Sequence, residues 1–216
     1  MSARHAAVRT ASGCAGTADD ARARIGMWVF LASEIMFFGP VFFAYLYGRH
    51  AWTQAFEAAS RSTDLACGTL NTALLLTSSA AMAAAALRAE QGARRQARRG
   101  LGAVVLLGAA FLLVKGYEYR QDWHEGLVPG PGFHVAQAAD QAAAQLFYFV
   151  YFFATLLHAL HVIIGMGLVL YCRGLLARGS GQTGARRVEI CGLYWHFVDL
   201  VWIFLYPALY LAGRAS

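Results

Sequence analysis

Six ionisable residues stand in runs that are otherwise apolar. Glu34 lies in FLASEIMFFG (residues 30–39), His158 and His161 in HALHVIIGMG (158–167), and Glu189, His196 and Asp199 in VEICGLYWHFVDLVWIFLYPALYLAG (188–213). A lone carboxyl among apolar neighbours is expensive when ionised, so Glu34 should be protonated, paired, or turned to an internal polar space. Two readings stay open for it: a buried hydrogen bond that ties two helices, or a proton or lipid-headgroup site. His158 and His161 are one helical turn apart, flanked by Ala154 and Gly165, a pattern that lets another helix approach while the imidazoles find partners across the contact. A metal or haem would need more ligands than these two histidines and a distant His196 supply, so hydrogen-bonding histidines are favoured over a metal site. Glu189, His196 and Asp199 recur at helical steps on one stripe, and a His196–Asp199 pair one turn apart would neutralise both. Trp195 and Trp202, seven apart, mark a different face, expected to meet lipid or a partner subunit. Lys115 and Glu118 read as an ion pair at the headgroup boundary.

The elements that must hold these residues are membrane helices. The 216 residues are 58% hydrophobic and 14% charged, a balance foreign to a soluble domain. Runs long enough to cross a bilayer, about 20 apolar residues each, fall at 25–47, 65–87, 101–117, 142–171 and 190–211. No alternating ten-residue strands of a barrel occur. The fold class expected is all-α, a polytopic bundle of five transmembrane helices. At 1.5 Å per residue Glu34 is roughly 13 Å into its span, near the bilayer centre, too deep to snorkel. Residues 1–24 read as a disordered tail and 25–216 as the membrane domain. Residues 120–141 contain Pro129 and Pro131 and form the one substantial loop. The alanine tract at 79–87 reads equally as close helix packing or as compositional bias. Pro207 should kink or end the last helix, with a neighbour or water meeting the freed carbonyl.

Thirteen of the eighteen Lys and Arg fall before the first span, after the second or after the fourth. The positive-inside rule then sets a cytoplasmic N-terminus and a C-terminus on the outer, periplasmic side. The formal charge of +6 reports this topology and an attraction to anionic lipid, and a nucleic-acid partner is excluded because the cluster RRQARR abuts a span. Cys14, Cys67, Cys172 and Cys191 have no CxxC spacing and read as small packing residues.

Three motifs carry a family resemblance: GMWVFLASEIMFFG (26–39), LHALHVIIGMG (157–167) and YWHFVDLVWIFLYPALYL (194–211), with KGYEY (115–119) and GLVPGPGF (126–133) between them. The chain resembles subunit III of the haem-copper oxidases, in the short five-helix bacterial form, over roughly residues 25–212. The resemblance implies a non-catalytic core subunit of a proton-pumping respiratory terminal oxidase in the bacterial inner membrane. It would pack against subunit I, bind phospholipid between its helices and support proton uptake. No redox cofactor is expected in this chain, since haem and copper belong to subunits I and II in that family. Glu34 matches the family's buried, carbodiimide-reactive carboxylate. Two features depart from the pattern: Pro40, which can bend the first helix beyond Glu34, and the acidic loop sequence QDWHEG (121–126). Subunit-III-like components of nitric oxide reductase or of a quinol oxidase share these helices. A stand-alone proton-coupled transporter is the remaining class, disfavoured because no internal repeat or broken midplane helix is visible.

Overall fold

The computed structural model describes residues 2–135, 138–179 and 181–214, with the side chains of 2–21 and 181 outside the description. Helices α1 (Ser2–Ala51), α2 (Thr53–Arg61), α3 (Leu65–Glu90), α4 (Arg94–His124), α5 (Gln141–Ala177) and α6 (Gly181–Tyr206) follow one another, and a π-helical turn (Pro207–Leu211) ends the bundle. Among the described residues there is no strand. Five segments are long and apolar enough to span a membrane: Arg22–Ala51, Leu65–Glu90, Arg94–His124, Gln141–Ala177 and Gln182–Leu211. The chain is a multi-pass membrane protein. The backbone of α1 is helical from Ser2, while the side chains of most of the expected 1–24 tail lie outside the described residues.

The helices are longer than their apolar runs. Helix α4 begins seven residues before Leu101 and continues seven beyond Tyr117, because its ends are polar and basic yet still good helix formers. Helix α2, too short and polar to register as a span, fills the connection between the first two spans. Helix α1 runs through Pro40 to Ala51. The irregular connection is confined to the residues between α4 and α5, where Asp140 caps α5 through Ala143 N–H at 3.0 Å.

Helix α6 is the centre of the bundle, packed on α3, α5 and α1; α4 closes against α3 and α5. The core of the last span is 61% buried and that of the first only 17%, so α1 is the peripheral helix. Small residues set the close seams. A methyl added at Gly100 would come within 2.9 Å of the Ala85 side chain, which identifies the alanine tract as a packing surface for α4. One added at Gly165 would meet the Trp195 ring at 3.0 Å, as the small-residue face of α5 requires.

Trp195 and Trp202 are both 1% exposed and face the interior, not lipid. Their indole N–H groups donate to Ser78 Oγ and Thr72 Oγ1 on α3, each at 3.0 Å. Lipid tails offer no acceptor, and a hydroxyl across a helix seam does. Beyond Pro207 the chain seats on α1 and the short helix α2: Tyr45 donates to the Ala208 carbonyl, and Ser60 Oγ donates to the Leu209 carbonyl at 2.9 Å. Neighbouring side chains thus meet the carbonyls of the π turn, as expected for a proline-interrupted membrane helix.

Candidate functional site

Glu34 on α1 and His161 on α5 meet at 3.0 Å between Oε2 and Nε2, with side chains 15% and 10% exposed. The ring's other nitrogen, Nδ1, is 2.8 Å from the Leu157 carbonyl one turn back. A carbonyl can only accept, so Nδ1 carries a proton and donates it. The Nε2–Oε2 contact then holds a single proton, resting on the carboxyl or on the ring. The pair is neutral in either arrangement, which is the condition for an acid to persist at this depth. Of the two open readings of Glu34, the contact supplies the first, a polar tie between two helices.

The pair borders an apolar groove of about 270 Å³ between α1 and α6, lined by Ile35, Phe38, Gly39 and Phe42 on one side and by Phe197, Leu200, Val201 and Phe204 on the other. The Phe38 ring lies 5.3 Å from the His161 ring and separates groove from pair. Tyr194 donates to the His161 backbone carbonyl at 3.1 Å and fixes α6 behind it.

The other candidates disperse. His158 is fully buried between Phe111 (5.6 Å) and Trp202 (5.1 Å), and neither ring nitrogen has a hydrogen-bond partner among the described residues. The expected partner across the seam exists for His161 alone. His196 contacts Ser79 Oγ on α3 at 2.6 Å through Nδ1, so it does not pair with Asp199, whose two oxygens are unpartnered among the described residues. The hydroxyl competes successfully because α3 lies against this face of α6. Glu189 sits at the start of the last span and pairs with Arg24 at 3.1 Å, with both side chains substantially exposed. Among the described residues, no three His, Cys, Asp or Glu side chains converge as a metal site would require.

A second polar cluster escaped the sequence reading. Lys115 and Glu118 do form an ion pair, at 3.0 Å, with side chains 4% and 1% exposed, well inside the protein. Lys115 Nζ also donates to Tyr151 (3.1 Å) and Tyr210 (2.7 Å), using all three of its donors. Both phenols donate onward to Glu118 Oε1, at 2.7 Å and 2.6 Å. Asp122, also buried, lies 3.3 Å from the Tyr151 hydroxyl. The rings of Tyr119, Tyr151, Trp202 and Tyr210 surround the ammonium at 4.8–5.7 Å from its nitrogen. The spacing of Lys115 and Glu118 was visible, but Tyr151 and Tyr210 are distant in sequence and gave no signal.

Residues 6–214 match the model of the family cytochrome c oxidase subunit III. The chain is 31% identical over 195 residues to the cytochrome c oxidase subunit 3 of Bacillus sp. (strain PS3), covering 89% of this chain and 86% of that protein. It is 33% identical over 199 residues to the Locusta migratoria subunit 3, covering 88% and 69%. A third relative, the heme-copper oxidase subunit I+III of Aeropyrum pernix, is 31% identical over 195 residues, and the match spans 87% of this chain but only 22% of that longer protein. With its five spans and a match along nearly its whole length, the chain belongs to the cytochrome c oxidase subunit III family.

Proposed function

We propose that this chain is the non-catalytic subunit III of a proton-pumping cytochrome c oxidase, which passes electrons to O2, in a bacterial inner membrane. It stabilises subunit I, binds phospholipid and supports proton uptake. The observation that carries the reading is the Glu34–His161 pair beside an apolar groove, which we read as a proton site next to a seat for a lipid acyl chain. The distribution of basic residues supports an N-terminus in the cytoplasm and a C-terminus outside. Subunits I and II are the partners, and the name of the Aeropyrum relative, subunit I+III, supports the first of them. Haem and copper reside in those partners.

The test is a pull-down of this chain in mild detergent, followed by a reduced-minus-oxidised spectrum and gas-consumption assays. Haem bands with O2 consumption driven by cytochrome c support the proposal. Haem with quinol as sole donor, or with nitric oxide as sole acceptor, moves the chain to a quinol oxidase or a nitric oxide reductase. A colourless chain without partners would overturn the reading and favour a stand-alone transporter.

A further inference from the structure

At the end of the bundle where α4 begins and α5 ends, four arginines surround one cavity of about 220 Å³: Arg95, Arg98 and Arg99 from α4, and Arg173 from α5. The first three follow helical spacing on one face, and the next position of that stripe is Gly102. The Arg173 guanidinium lies against it; a methyl at 102 would be 3.7 Å from Arg173 Cζ. A bare methyl there would make ordinary contact with the fourth charge, and a larger side chain would take its space. None of the four pairs with a carboxylate among the described residues. Arg98 Nε is buried without a hydrogen-bond partner, a donor turned away from water with nothing to receive it. Four guanidiniums about one space repel one another unless an anion is shared, and their planar forks match the oxygens of a phosphate.

We infer that this cavity binds the phosphate of an anionic phospholipid. Inorganic phosphate has the same oxygens, but the surroundings favour a lipid. The stripe continues from Gly102 to Leu106 and Leu113, 72% and 75% exposed, and one turn before Arg173 stands Leu170, 48% exposed. A headgroup in the cavity would therefore lay its acyl chains along an apolar strip on α4 and α5. Basic pockets between membrane helices are sites of this kind. The site lies on different helices from the groove between α1 and α6, and it stands whether or not the oxidase reading does.

The test uses the full-length protein with whatever subunits it retains in mild detergent. After lipid is stripped by detergent exchange, phosphatidylglycerol, phosphatidylcholine and inorganic phosphate are added separately, and bound molecules are counted by native mass spectrometry. Phosphatidylglycerol should bind about tenfold more tightly than phosphatidylcholine. Arg98→Gln should remove about tenfold of that affinity. Gly102→Leu should do the same while keeping every charge that fixes topology, by occupying the place of the Arg173 guanidinium; it serves if the Arg98 variant fails to assemble. Glu34→Gln should leave the preference intact. Equal binding of the two lipids, or full phosphatidylglycerol binding in Gly102→Leu, overturns the inference. So does loss of the preference in Glu34→Gln, which moves the site to the groove, or tight inorganic phosphate without lipid selectivity.

Discussion

Two acid–base contacts of equal length, 3.0 Å each, have opposite surroundings. Around Lys115 and Glu118, every donor of the ammonium has an acceptor and two phenols bridge the ions, so the charges are met on every side. Between Glu34 and His161, one proton has two resting places and nothing else contests it. The first contact joins α4, α5 and the π turn within the packed interior; the second joins α5 to the least buried helix. A membrane protein can afford a buried ion pair where satisfaction is complete, whereas an acid with a single partner sits at an edge where a helix can yield.

The largest expected effect is that of Lys115→Met. It leaves Glu118 and Asp122 buried without their cation, and unfolding titrations in detergent should show a loss of about 3–5 kcal/mol. A loss below about 1 kcal/mol would put this cluster on the level of an exposed pair and erase the contrast.

Asp64 supplies a calibration outside the spans, since it is a carboxylate with fixed donors at the water boundary. It caps α3, accepting from Ala66 N–H at 2.8 Å and Cys67 N–H at 3.1 Å. Burial alone would raise its pKa, but these bonds, the Cys67 thiol and Arg214 together hold it below the usual carboxylate range. Its folded pKa being depressed, the contribution is complete above the unfolded value near 3.8 and is lost as pH falls through the folded one. Asp64→Ala should cost about 1 kcal/mol at neutral pH. Asp64→Asn should keep the cap and flatten the acid limb of the stability profile.

The smallest effect on stability belongs to Glu34→Gln. The amide N–H can still donate to His161, so unfolding should shift by less than about 1 kcal/mol with haem content of the complex unchanged. Durability during turnover should fall, because the exchangeable proton is gone. A stability loss equal to that of Lys115→Met would make Glu34 a structural tie like the other cluster. Loss of haem would end its accessory role.

The five spans were legible because the bilayer demands long apolar runs, and Glu34 because its cost there is plain. What remained hidden depended on neighbours across helices. Trp195 and Trp202 read as a lipid face until Ser78 and Thr72 on α3 are seen to accept their N–H groups. The spacing of His196 and Asp199 suggested a partner that Ser79 displaces. Lys115 and Glu118 have the spacing of a surface pair, and only Tyr151 and Tyr210, 36 and 95 residues from Lys115, reveal a buried one.

The π-helical turn acts as a phase shifter. A π turn holds more residues than an α turn, so the angular clock of α6, which aims Trp195 and Trp202 at α3, is reset after Pro207. Tyr210 is thereby aimed at Lys115 independently of the helix before it. Loss of a single residue from this turn would return the segment to the older clock and swing that phenol off the ammonium, with α6 before Pro207 left in place.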